Sequence, residues 1–279
     1  MLKSAIHPSV FIEEGAVIGE GVTIEPFVVI KKHVKIGDNV TIMSHSYIEG
    51  HTTIGEGTKI YPGVAIGCDP QALKYNGEIS TITIGKNCLI REYVTINSSL
   101  GEGAHMSIGD NCMIMAYCHL AHNSTLGKGV IMSNGATLAG HCEVGDYAII
   151  GGKTPIHQFV RIGAYAMVGG FSRVGHDILP YTIGGGIPYR LGGLNLIGLK
   201  RHNFPLATRQ QLSKAFRTIY RSGLKLEEAL KAVESECDPI PEIQNWLQFC
   251  RSSKRGLICL GEKDLFENQG EGPYLEESR

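Results

Sequence analysis

Aliphatic side chains recur at every sixth position along most of this chain. Of the 29 multiples of six between 6 and 174, all except 72, 78 and 102 carry an aliphatic residue or methionine. An α-helix needs apolar residues every three to four positions and a half-buried strand needs them every two, so neither accounts for this period. The pattern predicts a short strand followed by a turn, repeated many times, with each unit covered by the next coil.

The repeat has a second apolar position, because a small or β-branched residue precedes each aliphatic one by two places. Hexapeptide repeats of this kind indicate an all-β, parallel β-helix. With three hexads per coil, the left-handed triangular prism, residues 18 apart stack about 4.8 Å from one another, so roughly nine coils make a prism about 40 Å long. Four cysteines at the small position are expected to be buried and reduced. They are Cys88, Cys112, Cys118 and Cys142.

Two segments, 67–83 and 97–107, interrupt the repeat without changing its phase. We expect them to loop out from the rigid coils, where binding residues concentrate. After Val174 the period fails and helical spacing follows. We therefore predict a β-helix domain over 1–183, a linker at 184–190 with the glycines 184–186 as a hinge, a small α-helical domain over 191–260, and a flexible acidic tail over 261–279. The helices are predicted to end at Gly223 and to span 225–236 and 241–251.

Composition and charge limit the classes of partner that this chain is expected to bind. The 26 basic and 27 acidic side chains leave a formal charge of −1, which gives no reason to expect nucleic acid as a partner. No stretch of about 18 apolar residues predicts a membrane span, and no secretion signal is recognised, so we expect a cytoplasmic protein. In contrast, the stretch from Arg190 to Lys225 carries eight basic residues and no acidic one. This local charge predicts an anionic ligand or partner, such as a nucleotide diphosphate or an acidic carrier protein.

Four histidines fall in the middle coils of the predicted prism. They are His119, His122, His141 and His157. One coil after His122 the 18-residue offset reaches Gly140, and two coils after it reaches Gln158; the same offset takes Asn123 to His141. These residues should therefore line a single edge of the prism across three successive coils.

This edge suggests two kinds of chemistry. The imidazoles could bind zinc, as in a hydratase built on the same fold, or His122 could act as a general base near neutral pH while its neighbours bind substrate. Asn123 could orient an imidazole, and Gly140 could bring a backbone N–H close to a developing oxyanion, which is an arrangement for acyl transfer. A non-catalytic solenoid scaffold is the third alternative. Cys118 and Cys142 occupy inward positions, so no reactive cysteine competes.

Several motifs together resemble one enzyme family. They are DPQALKYNGE at 69–78, HLAHN at 119–123, LAGHCEVGDYAIIGG at 138–152, IHQF at 156–159 and LNLIGLKRHNF at 194–204. This set resembles the acyl-carrier-protein-dependent UDP-N-acetylglucosamine O-acyltransferases, which begin lipid A synthesis. The resemblance implies a homotrimer with active sites between neighbouring prisms. It implies transfer of a long fatty acyl group from acyl carrier protein to the glucosamine 3-hydroxyl, with no metal and no cofactor beyond the carrier's phosphopantetheine. The related N-acyltransferase of the same pathway is the alternative.

The resemblance also implies roles for particular residues. His122 matches the general base, with Asn123 beside it, and the Gly140 N–H matches the oxyanion donor. Gly170 matches a position whose side-chain size limits acyl length. Seven further residues match positions that bind the UDP-sugar or the acyl-phosphopantetheine. They are Lys74, His119, His141, His157, Gln158, Asn195 and Arg201.

The chain departs from the family pattern at four positions. Asn123 stands where the family usually has Asp after the base, and an amide cannot supply the negative charge that stabilises an imidazolium. Ala72 replaces a sugar-binding Asp, Ile197 replaces a usual Glu, and His202 replaces a usual Arg. We therefore expect the contacts to the sugar and the phosphates to differ in detail from those of the family.

Overall fold

A computed structural model of the chain describes residues 4–258. Strands β1 to β25 belong in turn to three parallel sheets. From β4 onward, each of these strands pairs with the strand three places earlier in the chain. The strands are β1 (Ala5–Ile6), β2 (Phe11–Ile12), β3 (Val17–Ile18), β4 (Thr23–Ile24), β5 (Val29–Ile30), β6 (Lys35–Ile36), β7 (Thr41–Ile42), β8 (Tyr47–Ile48), β9 (His51–Ile54), β10 (Lys59–Ile60), β11 (Ala65–Cys68), β12 (Thr81–Ile84), β13 (Leu89–Ile90), β14 (Thr95–Asn97), β15 (His105–Ile108), β16 (Met113–Ile114), β17 (His119–Leu120), β18 (Thr125–Leu126), β19 (Ile131–Met132), β20 (Thr137–Leu138), β21 (Glu143–Val144), β22 (Ile149–Ile150), β23 (Pro155–Ile156), β24 (Arg161–Ile162) and β25 (Met167–Val168).

The aliphatic position of each hexad points into the prism and stacks on its counterpart in the next coil. In the first sheet, which begins with β1, Ile24 pairs with Ile42 and Ile42 pairs with Ile60, and all three are at most 1% exposed. Ile6 is 44% exposed because no earlier coil covers it. The second and third sheets, which begin with β2 and β3, repeat the same register. The predicted triangular parallel β-helix is therefore confirmed, with its core inside the prism.

The corners of the prism are turns in which one residue adopts a left-handed backbone conformation. This residue occurs at every sixth position through the coils, for example at Asn123 with φ of 58° and at His141 with φ of 59°. Glycine adopts this conformation without strain, and Asn tolerates it better than most side chains do. The position of Asn123 in the repeat is therefore one that favours an amide.

From Val22 onward the small position of the hexads is also buried, and the cysteine side chains found there bond to the next coil. The thiol of Cys118 donates to the carbonyl of Ser133 at 3.1 Å, and the thiol of Cys142 donates to the carbonyl of His157 at 3.2 Å. Burial raises the pKa of Cys118 to about 11 and that of Cys142 to about 12. Both sulfurs are free and inert, as the repeat predicted.

Both interruptions of the repeat loop out at the same edge, between the second and third sheets. Ala65 pairs with Thr95, 30 residues later, and Thr95 pairs with His119, 24 residues later. Relative to the usual 18, the first loop adds two whole hexads and the second adds one, which is why the phase survives. Strand pairing reaches further than expected, so the looped parts are 69–80 and 98–104.

The predicted linker at 184–190 is wrong, because this segment belongs to a β-hairpin. Strand β26 (Thr182–Gly185) extends the first sheet in parallel and pairs in antiparallel with β27 (Arg190–Leu194). A Cβ on Gly184 would lie 2.4 Å from the carbonyl oxygen of Arg190 and 2.7 Å from the Tyr189 ring. The glycines that looked like a hinge instead permit close packing of two strands.

Four helices follow, namely α1 (Leu196–Arg201), α2 (Leu206–Arg221), α3 (Leu226–Glu236) and α4 (Pro241–Ser252). The last three match the predicted helices closely, whereas α1 was not predicted. Trp246 is fully buried between the rings of Tyr181 and Phe216, so it joins α4 to both the β-helix and α2. The predicted acidic tail, 261–279, lies outside the described residues.

Candidate active site

The predicted histidine cluster lies on one edge of the prism, where the chain passes from the second sheet to the third. Five successive connections form this edge, which we call the histidine edge: loop 69–80, loop 98–104, and the turns 121–124, 139–142 and 157–160. The registers His119 to Thr137 and Thr137 to Pro155 show the 18-residue stacking expected from the sequence. Gly140 and His141 thus lie one coil after His122, and His157 and Gln158 lie two coils after it.

His122 has an oriented imidazole. Its Nδ1 lies 2.9 Å from Oδ1 of Asn123, and its ring meets that of His141 edge-on with centroids 5.1 Å apart. The ring also covers Gly140 directly, since an ideal Cβ on Gly140 would lie 2.3 Å from Cε1 and 2.6 Å from Nε2 of His122. Only glycine at position 140 leaves space for the imidazole in this place.

Of the two polar backbone groups of Gly140, only the carbonyl is hydrogen-bonded within residues 4–258. Its carbonyl accepts from Phe159 N–H at 3.1 Å. Its N–H has no hydrogen-bond partner among residues 4–258, although the residue is buried. In acyl transfer, an unpaired N–H can stabilise the developing oxyanion while a neighbouring imidazole acts as the base.

His119 and His141 flank His122 and are held neutral by their surroundings. Nδ1 of His119 lies 2.8 Å from the hydroxyl of Thr95, its neighbour in the previous coil. The ring of His141 stacks on Phe159 at 4.8 Å. Burial, followed by the proximity of His122, lowers the pKa of both imidazoles below 6.5. Near neutral pH they can donate and accept hydrogen bonds without adding positive charge.

His157 and Gln158 continue the histidine edge toward the C-terminal end of the prism. Nδ1 of His157 donates to the carbonyl of Gln158 at 3.2 Å, and the side chain is exposed. His176 was missed, although one more step of 18 from Gln158 reaches it. Burial, and then the nearby Arg255, lowers the pKa of His176.

Lys74 lies on loop 69–80, two connections before the His122 turn on the same edge. Its carbonyl accepts from the side-chain amide of Asn76 at 3.0 Å, and its side chain is exposed. Ala72, one of the departures, forms the turn of this loop by donating its N–H to Pro70 O and accepting from Tyr75 N–H. The loop thus places Lys74 on the same edge as the histidines.

Asn195 and Arg201 are not brought to the histidine edge of the same chain. Asn195 donates its amide N–H to the carbonyl of Tyr165, which lies in the turn between the third and first sheets, and its Oδ1 accepts from Gly198 N–H to cap α1. The residue is 8% exposed, so its amide has a structural function here. Arg201, at the end of α1, is exposed on this second edge.

Gly170 lies in the last parallel turn, between the first and second sheets. A Cβ there would meet Gly152 O at 3.4 Å and Gly152 N at 3.5 Å, which are ordinary contacts. Of the two departures in 194–204, Ile197 is 68% exposed. The ring of His202 packs on both Tyr147 and Tyr165, at 4.9 and 5.0 Å. An arginine at position 202 would replace one ring of this aromatic cluster with a guanidinium group.

The histidines do not form a ligand set for a metal. Within residues 4–258, no three His, Cys, Asp or Glu side chains converge as metal ligands would. The same described region contains no helix that is both long enough and apolar enough to cross a bilayer.

Comparison with known proteins identifies two family models along the chain. Residues 33–68 and 105–140 match the bacterial transferase hexapeptide model, and residues 177–258 match domain 2 of UDP N-acetylglucosamine O-acyltransferase. A curated acyl-carrier-protein–UDP-N-acetylglucosamine O-acyltransferase from Chlamydia caviae is 52% identical over 97% of this chain and 99% of its own length. Its counterpart from Sinorhizobium fredii is 41% identical over 88% of this chain and 92% of its own length.

Solved structures agree with the curated relatives. A UDP-N-acetylglucosamine acyltransferase from Bacteroides fragilis superposes with a TM-score of 0.88 at 43% identity, covering 91% of this chain and 99% of its own. One from Campylobacter jejuni gives 0.86 at 41% identity, covering 92% and 100%. The left-handed coiling of the β-helix and the helical C-terminal part, both expected from the sequence, are thereby confirmed. This chain belongs to the family of acyl-carrier-protein-dependent UDP-N-acetylglucosamine O-acyltransferases.

Proposed function

We propose that this chain transfers a long-chain fatty acyl group from acyl carrier protein to the 3-hydroxyl of UDP-N-acetylglucosamine, the first step of lipid A biosynthesis. The observation that carries this proposal is the stacking of the oriented His122 imidazole on Gly140, whose N–H is unpaired among the described residues. A base and an oxyanion donor lie side by side, as acyl transfer requires.

The reaction follows from these two groups. The imidazole of His122 takes the proton of the sugar 3-hydroxyl as its oxygen attacks the thioester carbonyl. The Gly140 N–H donates to the resulting oxyanion. When the tetrahedral intermediate collapses, the carbon–sulfur bond breaks and the imidazolium returns its proton to the phosphopantetheine thiolate. No metal or further cofactor takes part in the proposed reaction.

Apart from Gly170, which lies on the edge between the first and second sheets, the remaining predicted contacts divide between two edges of the prism. Lys74, His119, His141, His157 and Gln158 share the histidine edge, whereas Asn195 and Arg201 lie on the edge between the third and first sheets. A homotrimer would place the second edge of one chain against the histidine edge of its neighbour. The two sets of residues would then line one composite active site between neighbouring chains. A cytoplasmic location stays a prediction from the sequence.

The donor is proposed to dock on the basic C-terminal region. Of its eight basic residues, Lys214 is paired with Glu236 and Arg209 donates to the carbonyl of Phe204. Arg217 and Arg221 remain exposed one turn apart on α2. An acidic carrier protein would be attracted to this helix and would bring its phosphopantetheine arm to the proposed composite site.

The decisive experiment measures acyl transfer by the purified chain with acyl carrier protein and UDP-N-acetylglucosamine. We expect product only with the intact acceptor, and loss of turnover in His122→Ala. His45→Asn is the matched control, because His45 also lies in a turn but on another edge and has φ of 62°, which Asn tolerates. Undiminished activity of His122→Ala would refute the mechanism.

Two further assays separate the alternatives. An acceptor that already carries a 3-O-acyl chain and offers a free 2-amine would be acylated by an N-acyltransferase and ignored by the O-acyltransferase. Zinc at one equivalent per chain in the purified protein, together with hydratase activity, would favour the hydratase.

A further inference from the structure

The side-chain amide of Asn123 pairs at two points with the backbone of Leu100. The N–H of Leu100 donates to Oδ1 of Asn123 at 3.0 Å, and Nδ2–H of Asn123 donates to the carbonyl of Leu100 at 3.0 Å. Leu100 lies in loop 98–104, the looped connection directly before the His122 turn on the histidine edge. We call this pair of hydrogen bonds the amide clamp.

The amide clamp determines which way the Asn123 amide points. In isolation, the oxygen and nitrogen of an amide are hard to assign, and the choice rests on their partners. If the amide were reversed, its oxygen would face the Leu100 carbonyl and its NH₂ group would face the Leu100 N–H. Both hydrogen bonds would become repulsive contacts. The oxygen of Asn123 must therefore be the atom that faces the N–H of Leu100 and Nδ1 of His122.

The orientation of the amide in turn determines the protonation of His122. A carbonyl oxygen can only accept, so the nitrogen that lies 2.9 Å from it, Nδ1, must carry a hydrogen. In the neutral imidazole the lone pair then resides on Nε2. Nε2 is one of the ring atoms that cover Gly140, where the reaction is proposed to occur. The base is thereby presented at the correct atom.

Loop 98–104 is itself fixed by buried hydrogen bonds. The hydroxyl of Ser99, which is fully buried, accepts from the backbone N–H of Asn123 at 3.0 Å. The N–H of Ser99 donates to the hydroxyl of Ser80 at 2.9 Å, and Ser80 ends the looped segment that carries Lys74. Leu100 is thus held in place relative to both the His122 turn and loop 69–80.

An aspartate at position 123 would not form the same clamp. A carboxylate could accept from Leu100 N–H and from His122, but it has no hydrogen to donate to the Leu100 carbonyl. One carboxylate oxygen would face a carbonyl oxygen at about 3 Å without a shared proton. The amide found in this chain is therefore matched to the backbone groups that it contacts.

We propose that the backbone N–H and carbonyl of Leu100, acting through Asn123, decide which nitrogen of His122 carries the proton, so that loop 98–104 is a positioning element of the catalytic site. Leu100 and Ser99 are positioning residues, since their effect reaches the substrate through His122. The inference rests on the acyl transfer proposed above, but its structural part concerns the protonation of His122 and is measurable without substrate.

The test is nitrogen-15 NMR of the full chain with labelled histidine, with the His122 signals assigned by their loss in His122→Ala. In the wild type we expect the Nδ1–H tautomer at pH 8. In Asn123→Ala we expect the population to move toward the Nε2–H tautomer that a free imidazole prefers, with kcat lower by about tenfold and KM for the sugar within about twofold. Ser99→Ala should show the same changes to a smaller extent.

Two variants complete the design. Asn123→Asp should keep the Nδ1–H tautomer but speed hydrogen exchange at the amides of 98–104, because the carboxylate repels the Leu100 carbonyl. Ser46→Ala is the matched control for Ser99→Ala: its hydroxyl is equally buried and donates to Met43 O at 2.9 Å, far from the histidine edge. It should change neither the tautomer nor kcat.

Either of two results would overturn the proposal: an Nε2–H tautomer in the wild type, or an unchanged tautomer in Asn123→Ala. A wild-type protein that transfers no acyl group would instead refute the proposed function and leave the tautomer measurement valid.

Discussion

The imidazole of His122 occupies the space beside Gly140, one coil later, that a side chain at position 140 would need. An ideal Cβ would come within 2.3 Å of Cε1 and 2.9 Å of Nδ1. The glycine thus has two functions at once. Its N–H makes no hydrogen bond within residues 4–258, and its lack of a side chain makes room for the His122 imidazole.

Substitution of Gly140 by alanine should therefore displace the base. Gly140→Ala is expected to lower kcat by at least about 100-fold, because a displacement of about 1 Å at a catalytic group has that effect. Gly175→Ala is the control, since nothing lies within 4 Å of a Cβ at that position. Steady-state kinetics and thermal unfolding of both variants would check this. If Gly140→Ala retained wild-type kcat, the contact would have no catalytic significance.

The acyl-length prediction concerns Gly170. Because a Cβ there meets only Gly152 atoms at 3.4 Å or more, Gly170→Ala should fold normally. If the acyl chain passes this position, kcat/KM for long donors should fall by about 10- to 200-fold relative to shorter ones. A panel of acyl carrier proteins with graded chain lengths measures the ratio. An equal effect on all donors would place the acyl chain elsewhere.

Acid should destabilise the protein through its partly buried histidines. The pKa values of His119, His141 and His176 are lowered, mainly by burial, so the unfolded chain binds more protons below about pH 6.5. Their contribution to the free energy of unfolding is complete above the unfolded pKa and is lost as pH falls through the lowered values.

The difference between wild type and His119→Gln isolates this effect. Asp177, whose pKa is raised mainly by burial, acts in both proteins and cancels. Urea unfolding at several pH values between 7.5 and 5 should show a shallower decline in His119→Gln. Parallel curves would show that His119 titrates alike in the folded and unfolded chain.

Docking of the donor should depend on charge at α2. Arg217→Glu is expected to raise KM for acyl carrier protein at low salt, and the difference should shrink as salt screens the attraction. Lys231→Glu on α3 is the control, since Lys231 is exposed but lies outside the basic stretch. A small acyl-phosphopantetheine donor should be used equally well by wild type and Arg217→Glu. A salt-independent defect would indicate damage to the fold instead.

Much of the architecture follows from the six-residue period. Except across the two loops, each inward residue stacks on the residue 18 positions earlier in the chain. The sheets, the corners and the placing of His122 next to Gly140 therefore follow from adding 18 to a residue number. One more step of 18 from Gln158 reaches His176, just past the last hexad, which the histidine column predicted from the sequence omitted. The rule fails after Val174, where the hairpin and α1 depend on local packing: glycines interpreted as a hinge allow two strands to approach closely.

The sequence by itself determined the fold class, the edge that carries the histidines, and the placing of His122 next to Gly140, because these depend on a periodic spacing. Only the tertiary structure decided how Asn123 is used. Its partner, Leu100, is 23 residues away in a loop whose path no repeat specifies. The capping of α1 by Asn195 was settled in the same way. Periodic contacts can be counted along a chain, whereas contacts made through loops and helix ends depend on how the whole chain is arranged in space.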